Sequence, residues 1–189
     1  MDRMKKMIGI FATLIIALGM SGVAFAHWSE TLYINGTVYT GELDAEWSVH
    51  SIWDNEPSNK DVSGMTITPV DSDSDGDYDQ LDVVISNAYP SIDYYAILDV
   101  HNNGSIPLHT YITIDPGNLP DGTTLEFLGV TMLRNGTQVE FVDPLENGAQ
   151  IHPCHMAYAL LHVHLPQSAA ENTTYTFTIT VEAVQWNEP

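Results

Sequence analysis

The sequence predicts an all-β protein, a β-sandwich of about eight to ten strands. Two observations carry this. Short runs rich in Val, Ile, Thr, Tyr and Phe recur at close intervals, each bounded by Gly, Pro, Asn or Asp. Beyond the first two dozen residues, no segment keeps apolar residues at helical spacing over three turns.

Residues 1–26 read as an export signal. Arg3, Lys5 and Lys6 precede the apolar stretch Met7–Met20, and Ala24-Phe25-Ala26 supplies the small residues a signal peptidase needs. Met7 to Ala26 is also about long enough for a retained membrane anchor, but the A-x-A ending favours cleavage. Cleavage leaves a single domain, 27–189, secreted or held at the cell surface, with no stable membrane insertion.

That mature chain holds two basic residues, Lys60 and Arg134, against 24 acidic ones. Such a surface repels nucleic acid and anionic lipid and attracts cations. At 44% hydrophobic residues it is nonetheless too apolar to stay disordered. Cys154 is the one cysteine, so no intrachain disulfide forms and stability comes from packing, metal, glycans or assembly. Sequons at Asn35, Asn103, Asn135 and Asn172 mark candidate N-glycosylation sites, although three are Asn-Gly and read equally as turns.

The predicted strands follow in order. A long alternating run, 31–53, centres on Asn35-Gly36. After it come 65–70, 81–86, 94–103, 108–114, 124–133, 137–142, 158–165 and 174–184. HWSETLYIN, residues 27–35, begins directly after the cleavage site and is apolar where a terminus is ordinarily polar and frayed. It either pairs within its own sheet or leaves to complete a neighbour's. In the second case His27, Trp28, Leu32 and Ile34 belong to a donor strand.

Between the second and third runs lies DSDSDGDYDQLD, six aspartates in twelve residues. A calcium loop takes oxygen ligands at positions 1, 3, 5, 7, 9 and 12, with glycine at 6. Here those positions are Asp71, Asp73, Asp75, Asp77, Asp79 and Asp82, with Gly76 at the turn. Position 7 ordinarily offers its backbone carbonyl, and the shorter Asp82 replaces the usual glutamate. The alternative is a solvated acidic turn, whose mutual repulsion would go uncompensated. Both flanks are strand-like, so Ca2+ would act as a clip between strands and not as a helix-opening sensor.

A second candidate metal set comprises His152, Cys154, His155, His162 and His164, suited to zinc or copper. The plainer reading makes His162 and His164 a solvent-facing row alternating with core Leu161, Val163 and Leu165. No catalytic motif of the hydrolase, zinc-protease or nucleotide-binding kinds is present, so the chain is not expected to be an enzyme. Trp28, Trp47, Trp53, Tyr94, Tyr95 and Trp186 are candidates for a carbohydrate platform or for core and interface packing.

Three stretches carry a resemblance to a known family. The leader running into an apolar strand and then Thr40-Gly41-Glu42-Leu43-Asp44 is one. Asn87–Ile112, with Val100, Asn102, Gly104, Ser105, Ile106 and Pro107, is the second, and Tyr175–Glu188 the third. Together they resemble the TasA/camelysin family of exported proteins with SipW-type signal peptides, and its archaeal bundling-pilus relatives. The resemblance implies a jelly-roll sandwich, extracellular fibres or biofilm matrix, and subunits joined head to tail by donor-strand complementation. The acidic loop matches none of the family's features and reads as an insertion. The metalloprotease label attached to camelysin is not carried over, because no zinc-protease motif is present.

The expectation is therefore a secreted, calcium-stabilised filament subunit whose partner is itself. A monomeric cell-surface module binding glycan or protein is the first alternative, and an extracellular metalloenzyme built on the His152–His164 set the second.

Overall fold

The computed structural model describes residues 1–22, 31–72 and 74–187. It divides into two units, Met1–Tyr39 and Thr40–Pro189. The first holds α1, Asp2–Gly22. Among the described residues no helix is long and apolar enough to cross a membrane. The cleavage motif Ala24-Phe25-Ala26, and His27 and Trp28 of the expected donor strand, lie outside the described residues.

Residues 31–44 form no strand, against the sequence expectation. A strand needs a neighbour to satisfy its backbone, and an isolated hairpin about Asn35-Gly36 would be marginal in water. The apolar side chains of this stretch stay bare: Leu32 is 85% exposed, Ile34 97% and Val38 89%.

The second unit is all-β. Its strands are β1 (Ala45–Asp54), β2 (Gly64–Val70), β3 (Gln80–Ser86), β4 (Asp93–Asn102), β5 (Leu108–Asp115) and β6 (Thr124–Gly129). They continue with β7 (Met132–Asn135), β8 (Gln138–Phe141), β9 (Asp143–Pro144), β10 (Gln150–Ile151), β11 (Met156–His164) and β12 (Thr178–Gln185). The main sheet runs β1-β4-β11-β6, with the short β9 beside β11; the others are β10-β5-β12, β2-β3 and β7-β8. The expected run 124–133 breaks into β6 and β7 at Gly129, where a side chain would strike Pro144.

Alternation of inward apolar side chains marks β4 and β11, the central strands of the main sheet, with Asp99 of β4 buried as well. Tyr94, Ala96, Leu98 and Val100 face inward beside Ala157, Ala159, Leu161 and Val163, all nearly or wholly buried. Ile67 of β2 and Leu108 of β5 join the same core. Leu81, Val83 and Ile85 of β3 and Ile179, Val181 and Ala183 of β12 pack against it, partly buried. Two smaller sheets thus cover one face of a larger one, a sandwich-like arrangement.

The two motifs noted above, 40–44 and 102–107, pack on one another. Gly104 N–H donates to Asp44 O (3.2 Å) and Ser105 N–H to Glu42 O (3.0 Å), while Glu42 N–H reaches Ser105 Oγ (2.9 Å). A Cβ on Gly41 would collide with Ile106, and one on Gly104 with Glu42 O, so both glycines permit this close approach. Asn102, fully buried, holds the junction from below. Its amide donates to Ile106 O and Ile151 O, each at 2.9 Å, and its carbonyl accepts Gly104 N–H at 3.0 Å.

Two adjacent asparagines should therefore differ sharply. Asn102→Leu, nearly isosteric, takes the Asn102 amide from Ile106 O and Ile151 O and leaves Gly104 N–H with Asp44 O alone, and should cost about 2–4 kcal/mol in urea unfolding. Asn103→Gln, exposed with its amide on Glu46 at 2.7 Å, should cost less than about 0.5 kcal/mol. Equal losses at the two positions would contradict this account of the junction.

Candidate functional site

β3 pairs with β2 alone and β12 with β5 alone, so each has one edge without a strand partner among the described residues. Between them runs a cleft of about 720 Å³. Its floor is the inner face of the main sheet at Leu98, Leu161 and Phe127, with Trp47 set edge-on to the Phe127 ring at 6.5 Å. One wall carries Leu81 and Val83, the other Phe177, Ile179 and Val181. The expected strand 174–184 begins its ladder only at Thr178, leaving Tyr175–Phe177 to line the cleft.

An apolar floor between two unpaired strand edges recognises one chemistry well, an extended peptide with apolar residues at every second position. Its backbone would pair with the edges while alternate side chains fill the floor.

Ser72, Asp79, Gln80 and Asp82 also line this cleft, so it adjoins the acidic loop. The loop joins β2 to β3 and is turned by Gly76 at φ +110°. Asp71 accepts the N–H groups of Ser74 (2.6 Å) and Gly76 (3.2 Å), Asp75 that of Asp77 (3.0 Å), and Asp79 that of Ser72 (3.0 Å). Tyr78 O accepts Trp47 N–H at 2.7 Å, which pins the loop to β1. Asp44 stands against it: burial first, then neighbouring Asp77, Glu42 and Asp75, push its carboxyl above the usual range.

The predicted calcium residues are thus brought together unevenly. Asp71, Asp75, Asp77 and Asp79 share the loop, Asp82 sits on β3 bonded to Gln80 at 2.6 Å, and Asp73 lies outside the described residues. Among the described residues no group of three or more His, Cys, Asp or Glu gathers around a point where a metal would sit. Asp44 is the acidic neighbour that sequence reasoning missed. Only the fold brings it to the loop, and no spacing rule would have found it.

The second candidate metal set divides in two. Cys154, exposed and at φ +64°, occupies the turn before β11, where the His152 and His155 rings meet edge-on at 6.0 Å. His162 and His164 lie at the far end of β11, roughly 20 Å or more along the strand from that turn. Their partners are carboxylates from other strands.

His162 Nε2 is 2.9 Å from Asp93 Oδ1 and Nδ1 is 3.1 Å from Glu126 Oε2. A neutral imidazole has one N–H, so only the imidazolium satisfies both acids. Burial disfavours that charge, but hydrogen bonds to Asp93 and Glu126 outweigh it and raise the His162 pKa above its ordinary value. The bond from His162 likewise holds Asp93 low against its own burial. His164 Nδ1 lies 3.0 Å from the same Asp93 oxygen without hydrogen-bond alignment.

Cross-strand register explains the cluster: Trp53, Tyr95, His162 and Glu126 stand in one row across β1, β4, β11 and β6. The Trp53 and Tyr95 rings stack at 5.4 Å, and the Tyr95 and His162 rings at 4.6 Å. Trp53, at the end of this stack, is 42% exposed, and Trp186 51%. Tyr94 is buried in the core and Trp47 floors the cleft. All four sequon asparagines are exposed, Asn172 in a turn at φ +51°.

Compared with family models, curated proteins and solved structures, the chain finds no match.

The His162 clamp dictates a pH profile. A raised folded pKa gives stability present in full below about pH 6.5 and lost as pH rises through the folded value. Asp93, with its lowered pKa, contributes above about pH 4 and loses that as pH falls. The melting temperature should therefore decline as pH rises above about 6.5, and His162→Gln should flatten that decline while lowering stability at pH 5. An identical alkaline slope in the variant would rule the clamp out.

Proposed function

We propose that this chain is an exported structural subunit of an extracellular filament or biofilm matrix. It polymerises with copies of itself by donor-strand complementation and has no catalytic role. One observation carries the reading: the Thr40–Pro189 unit has a cleft with an apolar floor between two strand edges that have no partner among the described residues, and the segment just before it is an apolar, alternating, exposed stretch. Leu32, Ile34 and Val38 share one parity with Gly36, so all three would point the same way in an extended strand. The proposed donor, expected from sequence over 27–35, is extended here to Tyr39, the last residue before the second unit. Inserted into the next subunit, it would satisfy both edges and bury its own side chains. Such head-to-tail contacts do not close and so build filaments.

The resemblance to the TasA/camelysin family supports this reading, because its two motifs form the junction from which the donor departs. Cleavage after Ala26 would free the strand, confining assembly to the outside of the cell. Within the sandwich-like all-β unit, a jelly-roll connectivity is part of the same proposal.

Strand exchange is tested by complementation between two defective variants. Leu32→Asp/Ile34→Asp should spoil the donor, and Ile179→Lys/Val181→Lys the cleft. Each should abolish filaments in negative-stain images, and mixing them should yield 1:1 heterodimers that grow no further. Filaments from the donor variant, or no heterodimer on mixing, would refute the exchange.

Calcium is proposed as the clip of the acidic loop, held by Asp71, Asp73, Asp75, Asp77, Asp79 and Asp82. Bound there, the ion would offset charge in a chain of formal charge −20 that no disulfide staples. The closeness of Asp44 to Asp77 supports it, since two such carboxylates ask for a proton or a cation. Calcium a hundredfold above Kd should raise the melting temperature by roughly 5–10 °C over chelator. Asp71→Ala/Asp75→Ala should lose that response, and an unchanged native melting temperature would remove the claim.

A further inference from the structure

In the exposed segment before the second unit, one face of an extended strand would present Leu32, Ile34, Gly36 and Val38. Gly36 is the odd member of that row, and nothing in the free subunit asks for it. Its φ lies outside the left-handed region, so Asn35-Gly36 does not form the turn its sequence suggests. A Cβ on Gly36 would meet no atom within 4 Å, whereas one on Gly41 or Gly104 would collide at once. The reason for a glycine at 36 therefore lies outside the isolated subunit.

The cleft floor supplies one. Trp47 on β1 and Phe127 on β6 come from the two ends of the path β1-β4-β11-β6, three strand spacings or roughly 14 Å apart. Their rings nonetheless meet edge-on with centroids 6.5 Å apart, so the side chains reach toward each other over β4 and β11. The central strands leave room for this, because the inward pairs Ala96–Leu161 and Leu98–Ala159 each match a leucine with an alanine. The floor is thus aliphatic with an aromatic ridge running across it. A strand laid along the cleft must cross that ridge, and a large side chain at the crossing would strike the rings.

We propose that Gly36 is that crossing point and sets the register in which residues 32–38 of a second copy occupy the cleft. The inference rests on the strand-exchange reading and adds to it the specificity of the site. Leu32 and Ile34 fill the floor on one side of the Trp47–Phe127 ridge and Val38 on the other. Asn35 and Thr37 have the opposite parity and face away from the floor. The cleft then selects an extended apolar segment with a gap at one inward position, not any apolar strand. Length agrees, since residues 175–181 line one wall and equal 32–38 in number. The segment 32–38 also holds no charged residue, so its insertion adds none to an acidic acceptor.

Filament growth of the full chain, followed by light scattering and negative-stain microscopy, tests the register. Gly36→Leu should slow growth by about tenfold or more through overpacking at the ridge. The subunit's melting temperature should stay unchanged, because a side chain at 36 touches nothing there. Thr37→Leu, of opposite parity, should leave growth within about twofold of native. Shortening the ridge should restore what Gly36→Leu removes, with Phe127→Leu as the second change, or Trp47→Leu if that variant fails to fold. Native growth in Gly36→Leu, an equal loss in Thr37→Leu, or no recovery in a folded double variant overturns the register. Should Leu32→Asp/Ile34→Asp still form filaments, strand exchange fails and the register with it. If that variant is inert while Gly36→Leu grows normally, the register alone is lost.

Discussion

The inner face of the main sheet must be covered, and two separate pieces cover it. From β2-β3 come Met65, Ile67, Leu81, Val83 and Ile85, and from β10-β5-β12 come Leu108, Ile112, Ile179, Val181 and Ala183. The pieces do not pair with each other, so the layer is interrupted between β3 and β12. A buried apolar floor can tolerate a cleft, but strand edges beside it leave backbone donors and acceptors in search of partners. The remaining features of the second unit are arranged around that interruption: the acidic loop adjoins it, and Trp47 lies on its floor while taking a backbone bond to the loop.

How the chain enters this layer is set at another place, by glycine. Gly41 and Gly104 let residues 42–44 and 104–105 run close enough to bond, and Asn102 ties that junction to β10 through Ile151 O. Local close packing on one side and a bare segment on the other is how a strand intended for another molecule would be anchored. The three hydrogen bonds of Asn102, two of them buried, make that junction expensive to loosen.

Much of this was legible from residues alone. Period-two runs marked β4 and β11 as strands, and the Gly/Pro/Asn/Asp boundaries located most of the remaining elements within a few residues. What was illegible depended on register and on absence. No local pattern says that His162 will stand between Tyr95 and Glu126, since a one-residue slip would send it to the other face. Asp93 and Glu126 look like any other acids in so acidic a chain. The run 31–44 has every local mark of strand and forms none, because strand propensity is only realised against a neighbour. That failure is itself informative, for a strand pattern without a partner is what a donor segment should look like.

Stability follows from the same shortage. A chain this acidic repels itself on folding, has no disulfide, and leaves one edge each of β3 and β12 without a strand partner among the described residues. The His162 imidazolium between two carboxylates offsets part of that charge, but at one end of one sheet. The subunit on its own should therefore be less stable than the subunit with its cleft filled, because an inserted strand would pair the free edges of β3 and β12. Binding free energy of that kind adds directly to folding free energy. In the proposed filament, assembly and folding would be completed by the same strand, and each subunit would owe part of its stability to its neighbour.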